Sequence, residues 1–376
     1  MKLRLSSWLL IGFGALIVVA LILSSLHPID LVPMDRVAAE QNPMHVVMPT
    51  EKDALPVLSD FMPAFLGITQ WLNIPDGAPL TKEDLKGKVI LVDFWTYSCI
   101  NCIRTQPVLR AWWKAYKDDG LVIVGVHTPE FAFEKVPKNV ADAVKKAGLE
   151  YPIALDSDYQ TWNAYSNHYW PAGYFFDRQG RLRFFHAGEG EYDKQEEVIR
   201  SLLAEDSAAL TIAPTGADTS PTLLPAQTPE TYLGLKRMAH FMNEDELKAA
   251  QVSIYTLRDP EDDAWSIGGS WNLTDEYALA TEAYDHFSMN VKANAMHLVL
   301  GSADGLKKLR VLIDGQDPTD AQLTPDMKRQ KDGSALIVVE AKDLYRIAKF
   351  PDAGRHLLEL ETLDPGIEFY AATFGE

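Results

Sequence analysis

The chain has 376 residues, 47% hydrophobic and 23% charged, an ordinary globular composition with length for two domains that each bury a core. Its 53 acidic residues outnumber 35 basic ones, for a formal net charge of -18. That balance argues against nucleic acid or an anionic membrane surface as a partner, since both reward Lys and Arg.

Near the start, Trp8 to Leu26 runs nineteen residues without a charge behind Lys2 and Arg4. As a helix it would reach about 28 Å, close to the roughly 30 Å hydrocarbon core of a bilayer. The basic residues stay inside, so the rest of the chain faces the other side. The competing reading is a cleaved signal peptide, but the Ser24-Ser-Leu-His-Pro28 stretch offers no small-x-small cleavage site. Residues 1–26 are therefore expected to be a signal anchor, with the remainder outside the cytoplasm, in a bacterial periplasm. Residues 27–60 hold Pro, Met, Ala and Asp without a clear period and read as a spacer.

Residues 61–205 alternate strands and helices. Leu80 to Leu85 predicts a short helical turn, and Val89 to Trp95, a continuous apolar run, predicts a buried parallel strand. A helix from about 99 to 118, a strand at 121–127, a helix at 137–148, a strand at 152–155 and a helix around 158–166 follow. The hairpin 173–177 and 181–186 turns through Arg178-Gln-Gly180, and a helix at 191–204 closes the domain. Such alternation makes βαβ units with right-handed crossovers, and the late hairpin makes the sheet mixed. Residues 206–227, rich in Ala, Thr, Pro and Ser, read as a linker. From 228 to 376 the texture changes to short alternating runs, such as Trp265-Ser-Ile-Gly-Gly, Met296 to Gly301, Leu309 to Gly315 and Ala335 to Glu340. Their spacing predicts an antiparallel β-sandwich.

The only two cysteines, Cys99 and Cys102, form a CxxC just past the Val89–Trp95 strand. That placement puts the first sulfur at the N-terminus of the next helix, where free N–H groups and the helix dipole favour a thiolate. The thiolate attacks in thiol–disulfide exchange, and the second cysteine is close enough to resolve the mixed disulfide. A structural zinc site would need about four protein ligands, and no second CxxC supplies them. Cys99 is therefore expected as nucleophile and Cys102 as resolving thiol, with no cofactor. Asp93 is a lone acid in the apolar strand, a costly burial unless it functions. Beside the dithiol it would accept the proton that Cys102 loses, with a pKa raised by burial. Glu130 follows the next strand on the carboxyl edge of the sheet, and Glu134 is an equal contender there.

These residues resemble the thioredoxin superfamily. Asp93, six residues before Cys99, matches its buried acid, Trp95 its strand-end tryptophan and Pro107 the proline that bends its active-site helix. Tyr169-Trp-Pro-Ala172 resembles its cis-proline loop, which implies a cis Pro171 with the Trp170 backbone against the dithiol. WTYSCINC, GVHTPEF, NHYWPAGYFFD and the tail HLLELETLDPGIEFYAATFG are similar to the periplasmic part of the DipZ family. In that family a TlpA/ResA-like thioredoxin domain precedes a sandwich likened to carbohydrate-binding modules. The likeness covers about residues 60 to 376, and Phe65 to Trp71 looks like the extra strand that opens TlpA-type domains. It implies a thiol–disulfide oxidoreductase, with a lean towards reducing protein disulfides in cytochrome c maturation or disulfide repair. A glutamate near the dithiol is also a feature of ResA-like proteins. DipZ proteins usually carry a CcdA-type membrane domain in front. This chain has one hydrophobic segment instead, so a separate membrane electron donor of CcdA/DsbD type is expected.

His127 and His168 invite a copper site, but Sco-type chaperones of this fold use CxxxC, and both histidines read as satisfied loop residues. A peroxiredoxin needs a proline where Val92 stands. A second class of function remains open: an envelope glycan- or protein-binding module with an accessory redox domain. Trp265, Trp271, Tyr277 and Tyr284 would stack on sugar rings, and Asp263, Asn272 and Asp285 would hold a hydroxyl or a calcium ion.

Overall fold

The structure is a computed structural model that describes residues 55–205, 213–217, 227–352 and 354–375. The expected anchor at Trp8 to Leu26, the spacer up to residue 54 and most of the expected linker lie outside the described residues. Among the described residues, no helix is long and apolar enough to cross a membrane.

The first half is built on β2, Val89–Trp95, which is buried at every position because it lies inside a sheet covered on both faces. The other strands are β1 (Gln70–Leu72), β3 (Leu121–His127), β4 (Ile153–Leu155), β5 (Ala172–Phe176) and β6 (Leu182–Ala187). They lie in the order β1-β4-β3-β2-β5-β6. The β2–β3 and β3–β4 pairs are parallel, while β1 and the β5–β6 hairpin run antiparallel to their neighbours. Side chains alternate across a strand. Val89, Leu91 and Trp95 therefore pack under the long helices Ile100–Tyr116, Pro137–Ala147 and Tyr192–Ala204. Ile90, Val92 and Phe94 face Leu85, Trp162 and Tyr165 on the other side. Asp93, in step with Leu91 and Trp95, falls on the long-helix face.

Two elements differ from expectation. The strand expected over Phe65 to Trp71 is confined to Gln70–Leu72. Phe65 instead packs its ring on Trp71 and Tyr165, and the Leu66 backbone exchanges two hydrogen bonds with the Thr161 hydroxyl. The helix expected to reach 118 stops at Tyr116, tightens into a 3-10 turn over Lys117–Asp119 and ends on Gly120 at φ 103°. Only glycine adopts that conformation cheaply.

The second half has β7 (Thr231–Tyr232), β8 (Val252–Tyr255), β9 (Trp265–Leu273), β10 (Ala278–Ala280), β11 (His286–Val291) and β12 (Ala295–Ser302). It continues with β13 (Lys307–Ile313), β14 (Met327–Arg329), β15 (Ala335–Val339), β16 (Asp343–Lys349), β17 (His356–Thr362) and β18 (Ile367–Phe374). All pair antiparallel in the order β14-β15-β13-β17-β11-β9-β10-β18-β12-β16, with β7 added on β18 and β8 on β9. The long strand β9 bends between two sheets: its first residues pair with β11 and its last with β10. Gly269 sits at the bend with φ 95°, and a Cβ there would fall 2.2 Å from the Asp285 carboxylate. Trp265, Trp271, Phe287 and Phe369 fill the space between the sheets. This is the expected sandwich. Its outer face is not all solvent-exposed: Val299, Leu344, Tyr370 and Ala371 join the core that holds Cys102, Phe131 and Phe133.

Candidate active site

Four residues separate the end of β2 from the helix Ile100–Tyr116, and the last of them, Cys99, is the helix N-cap with extended backbone. Its thiol is half-buried, whereas Cys102, one turn into the helix, is 2% exposed and packed in the apolar core. Both are free thiols. Burial pushes the Cys102 thiol well up; the hydrogen bond with Cys99 and the negative charges of Cys99 and Asp93 add to this, against one backbone hydrogen bond at Thr96. Pro107 lies inside the helix, where it removes one backbone donor.

Asp93 is buried beneath the dithiol, between Gly125 on β3 and Gly173 on β5. Burial alone drives its carboxyl well above the usual carboxylate range. A Cβ at Gly125 would come within 2.7 Å of Ile153 and 3.0 Å of the Trp95 indole nitrogen, so glycine is what lets these rings close over the acid. Tyr151 also reaches this pocket. Its phenol is held neutral first by burial, then by the Asp93 charge, with Cys102 a smaller contributor. Nothing in the sequence around Tyr151 announces that position.

The Trp170–Pro171 peptide is cis, immediately before β5, whose Ala172 pairs with Phe94 of β2. The Trp170 indole donates to the Thr128 carbonyl at 3.0 Å and packs on Trp162 at 4.2 Å. Tyr169 beside it is 51% exposed.

The two candidate glutamates go to different places. Glu130 accepts from Arg237 at 3.0 Å and from the Tyr232 hydroxyl at 2.6 Å, both in the second half of the chain. Glu134 is the acid bonded to the segment that leads into Cys99: it accepts from the Ser98 N–H at 3.3 Å and the Ser98 hydroxyl at 2.7 Å. Burial, reinforced by the Glu130 charge, pushes Glu134 up to about 7. Spacing between Gly125 and Glu134 could not separate the two, because it is the turn Ala132–Lys135 that brings Glu134 to Ser98.

His127 is buried, meets the Thr96 hydroxyl at 3.4 Å and stacks on Tyr97, and burial lowers it to about 3, so it stays neutral. His168 is exposed. Among the described residues, no group of three or more His, Cys, Asp or Glu side chains is placed to hold a metal. Of the aromatics weighed for sugar stacking, Trp265 and Trp271 are fully buried and present no face. Asp263 is bonded to Arg355 and Thr228, and Asp285 to the N–H groups of Ser270 and Glu282.

A cysteine-capped helix after the central strand, with a cis-proline loop on the neighbouring strand, is the arrangement of thioredoxin-fold thiol–disulfide oxidoreductases. The chain belongs to that family: the thiol-disulfide oxidoreductase YkuV of Bacillus subtilis is 34% identical over 145 residues, 38% of this chain and 95% of that protein. Protein DipZ of Mycobacterium bovis and of Mycobacterium tuberculosis is 39% identical over 259 residues, 68% of this chain. The chain spans 37% of the length of those DipZ proteins. The AhpC/TSA family model matches residues 67–185, and the model of the thioredoxin like C-terminal domain matches residues 228–375. A solved thioredoxin-like protein in its oxidized form is 33% identical, covering 40% of this chain and 98% of its own, with a TM-score of 0.36. The chain is thus a member of the thioredoxin-fold thiol–disulfide oxidoreductase family and a homologue of DipZ.

Proposed function

We propose that the chain reduces protein disulfides outside the cytoplasm through Cys99 and Cys102. The observation that carries this reading is the difference in burial between the two sulfurs. A half-buried thiol on a helix cap is reachable by a substrate, while a buried one reaches only its neighbour. The Cys99 thiolate attacks one substrate sulfur, and the other leaves as a thiolate and takes up a proton. Cys102, deprotonated, then attacks the Cys99 sulfur, releasing the second substrate thiol and leaving a Cys99–Cys102 disulfide. Asp93 is the proton acceptor for Cys102, and Pro171 presents the Trp170 backbone to an extended substrate. Burial of Asp93 supports its part, since a carboxyl with a raised pKa is matched to a thiol.

The reduced dithiol must be restored by an electron donor, and the DipZ likeness supports one of CcdA/DsbD type in the membrane. Reduction rather than oxidation rests on the same likeness, with cytochrome c maturation or disulfide repair as the setting. Equilibrating the dithiol against glutathione tests the direction. A potential below the glutathione poise is expected, and one near those of strong oxidants overturns the reductant reading.

A further inference from the structure

Residues 130–134 connect the second domain to the residue before Cys99. On one side, the Glu134 carboxylate is 1% exposed and takes four hydrogen bonds. One oxygen accepts from the Ser98 N–H and hydroxyl, the other from the N–H groups of Glu130 at 2.5 Å and Phe131 at 2.9 Å. On the other side the second domain grips the same loop residue by residue. Arg237 and Tyr232 bond the Glu130 carboxylate, and Glu276 accepts from the Ala132 N–H at 3.1 Å. The Tyr370 ring meets Phe131 at 5.1 Å and Phe133 at 4.9 Å.

We propose that Glu134 is a positioning residue of the thiol–disulfide reaction, holding Ser98 and with it the backbone that presents Cys99, and that the second domain sets Glu134 through residues 130–133. The proposal rests on Cys99 being the attacking thiol. A neutral side chain would suit a purely structural plug better, since a buried carboxylate without a cation on it is costly. Here burial and the Glu130 charge raise the carboxyl while the donors from Ser98, Thr96 and Phe131 hold it down, so it ionises near 7, inside the working range of a thiol. When it is protonated, one of those donors loses its acceptor. Thr96, Tyr97 and Tyr159 face it from the first domain, with His127 behind Thr96, while from the second Tyr232, Glu230 and Arg237 approach through Glu130 and Glu276 through the Ala132 N–H. The tyrosines are driven up and His127 down, away from neutrality.

The test is the rate of Cys99 alkylation by iodoacetamide in the full chain, from about pH 5 to about pH 9, across the ordinary thiol range. In the unmodified chain the profile carries an inflection near 7 besides the thiol titration, where Glu134 ionises. Glu134→Gln removes that inflection and shifts the dithiol equilibrium with glutathione by about tenfold, the effect of a lost charge-assisted hydrogen bond. Ser98→Ala and Arg237→Gln both move the inflection to higher pH, the first by removing a donor to Glu134, the second by leaving the Glu130 charge uncompensated. Glu230→Gln leaves the inflection in place; its loss there would assign the inflection to Glu230 and overturn the proposal. A folded Glu134→Gln with the unmodified profile also overturns it. Where Glu134→Gln does not fold, unchanged profiles in both Ser98→Ala and Arg237→Gln do the same. Exchange surviving in Cys99→Ser overturns the assignment of the attacking thiol instead, whereas an inert Cys99→Ser with an unchanged Glu134→Gln profile sinks this proposal alone.

Discussion

In the sandwich, buried acids have structural partners. Asp285 accepts the N–H groups of Ser270 and Glu282 at the β9 bend, and Glu368 lies 2.6 Å from the Lys342 ammonium. In the α/β half, Asp93 lies among apolar rings with burial as the sole influence on its titration, and Glu134 has hydrogen-bond donors but no cation on it. Leaving a carboxyl unpaired in a core is destabilising, so folds do it rarely, and where they do the group usually has a chemical task. Asp93, whose titration nothing but burial shapes, lies beneath the dithiol, and Glu134 is bonded to the residue before Cys99. The α/β half also holds partnered buried acids, such as Asp177 on Arg183, so what sets Asp93 apart is its place beside the dithiol, where the proposed chemistry needs a proton acceptor.

The largest effect expected from testing this contrast is at the cysteines. Cys99→Ser should abolish disulfide exchange, and Cys102→Ser should accumulate covalent mixed disulfides that gel electrophoresis without reductant resolves. Equal trapping by both variants would erase the distinction drawn from their burial.

Next comes Asp93→Asn. Attack by Cys99 should survive, while decay of the mixed disulfide should slow by about 10²–10⁴, the usual cost of losing a general base. Stopped-flow traces that follow formation and decay separately read this. The matching change in the sandwich, Asp285→Asn, should leave both phases alone and lower unfolding stability by about 1–3 kcal/mol, because the amide faces one N–H with a donor. If Asp285→Asn slowed decay as much, the contrast between Asp93 and Asp285 would be false.

Trp271→Ala removes a fully buried ring between the two sheets. It should cost about 3–5 kcal/mol in denaturant unfolding. Cys99 alkylation in the molecules that remain folded should be unchanged.

The smallest expected effect is a pH slope. The folded-state pKa of Asp93 is raised above its unfolded value, so its burial is harmless at low pH and destabilising once pH rises past the ordinary carboxylate range. Asp93→Asn should therefore gain melting temperature over the unmodified chain, with a gain near zero at about pH 3 that grows towards neutrality. A gain independent of pH would mean that the carboxyl is ionised and solvated in the fold.

Continuous or alternating apolar runs make β2, β3, the β5–β6 hairpin, β9, β12, β13 and β15 legible in the amino-acid sequence. The strands that were not anticipated are short or polar. β10 and β14 have three residues each, β8 exposes Val252 and Ile254, and β16 carries Asp343, Arg346 and Lys349. Such segments take strand form from the neighbour they pair with, and that partner is distant in sequence.

For the site, the sequence alone determined the CxxC and its place after a buried strand, because these depend on spacing, whereas the placing of Asp93 beneath the dithiol was implied by the resemblance and its face of β2 came from the structure. It did not separate Glu130 from Glu134, nor did it reveal Tyr151 beside Asp93 or Arg237 and Tyr232 on Glu130. It left Trp265 and Trp271 open to a sugar-binding role that burial removes. Each of those depends on which distant segments come to lie together. Only the tertiary structure decided that a turn brings Glu134 back to Ser98, and that the outer face of the sandwich closes on the loop beside the dithiol, since a contact between remote segments leaves no period in the chain to be read.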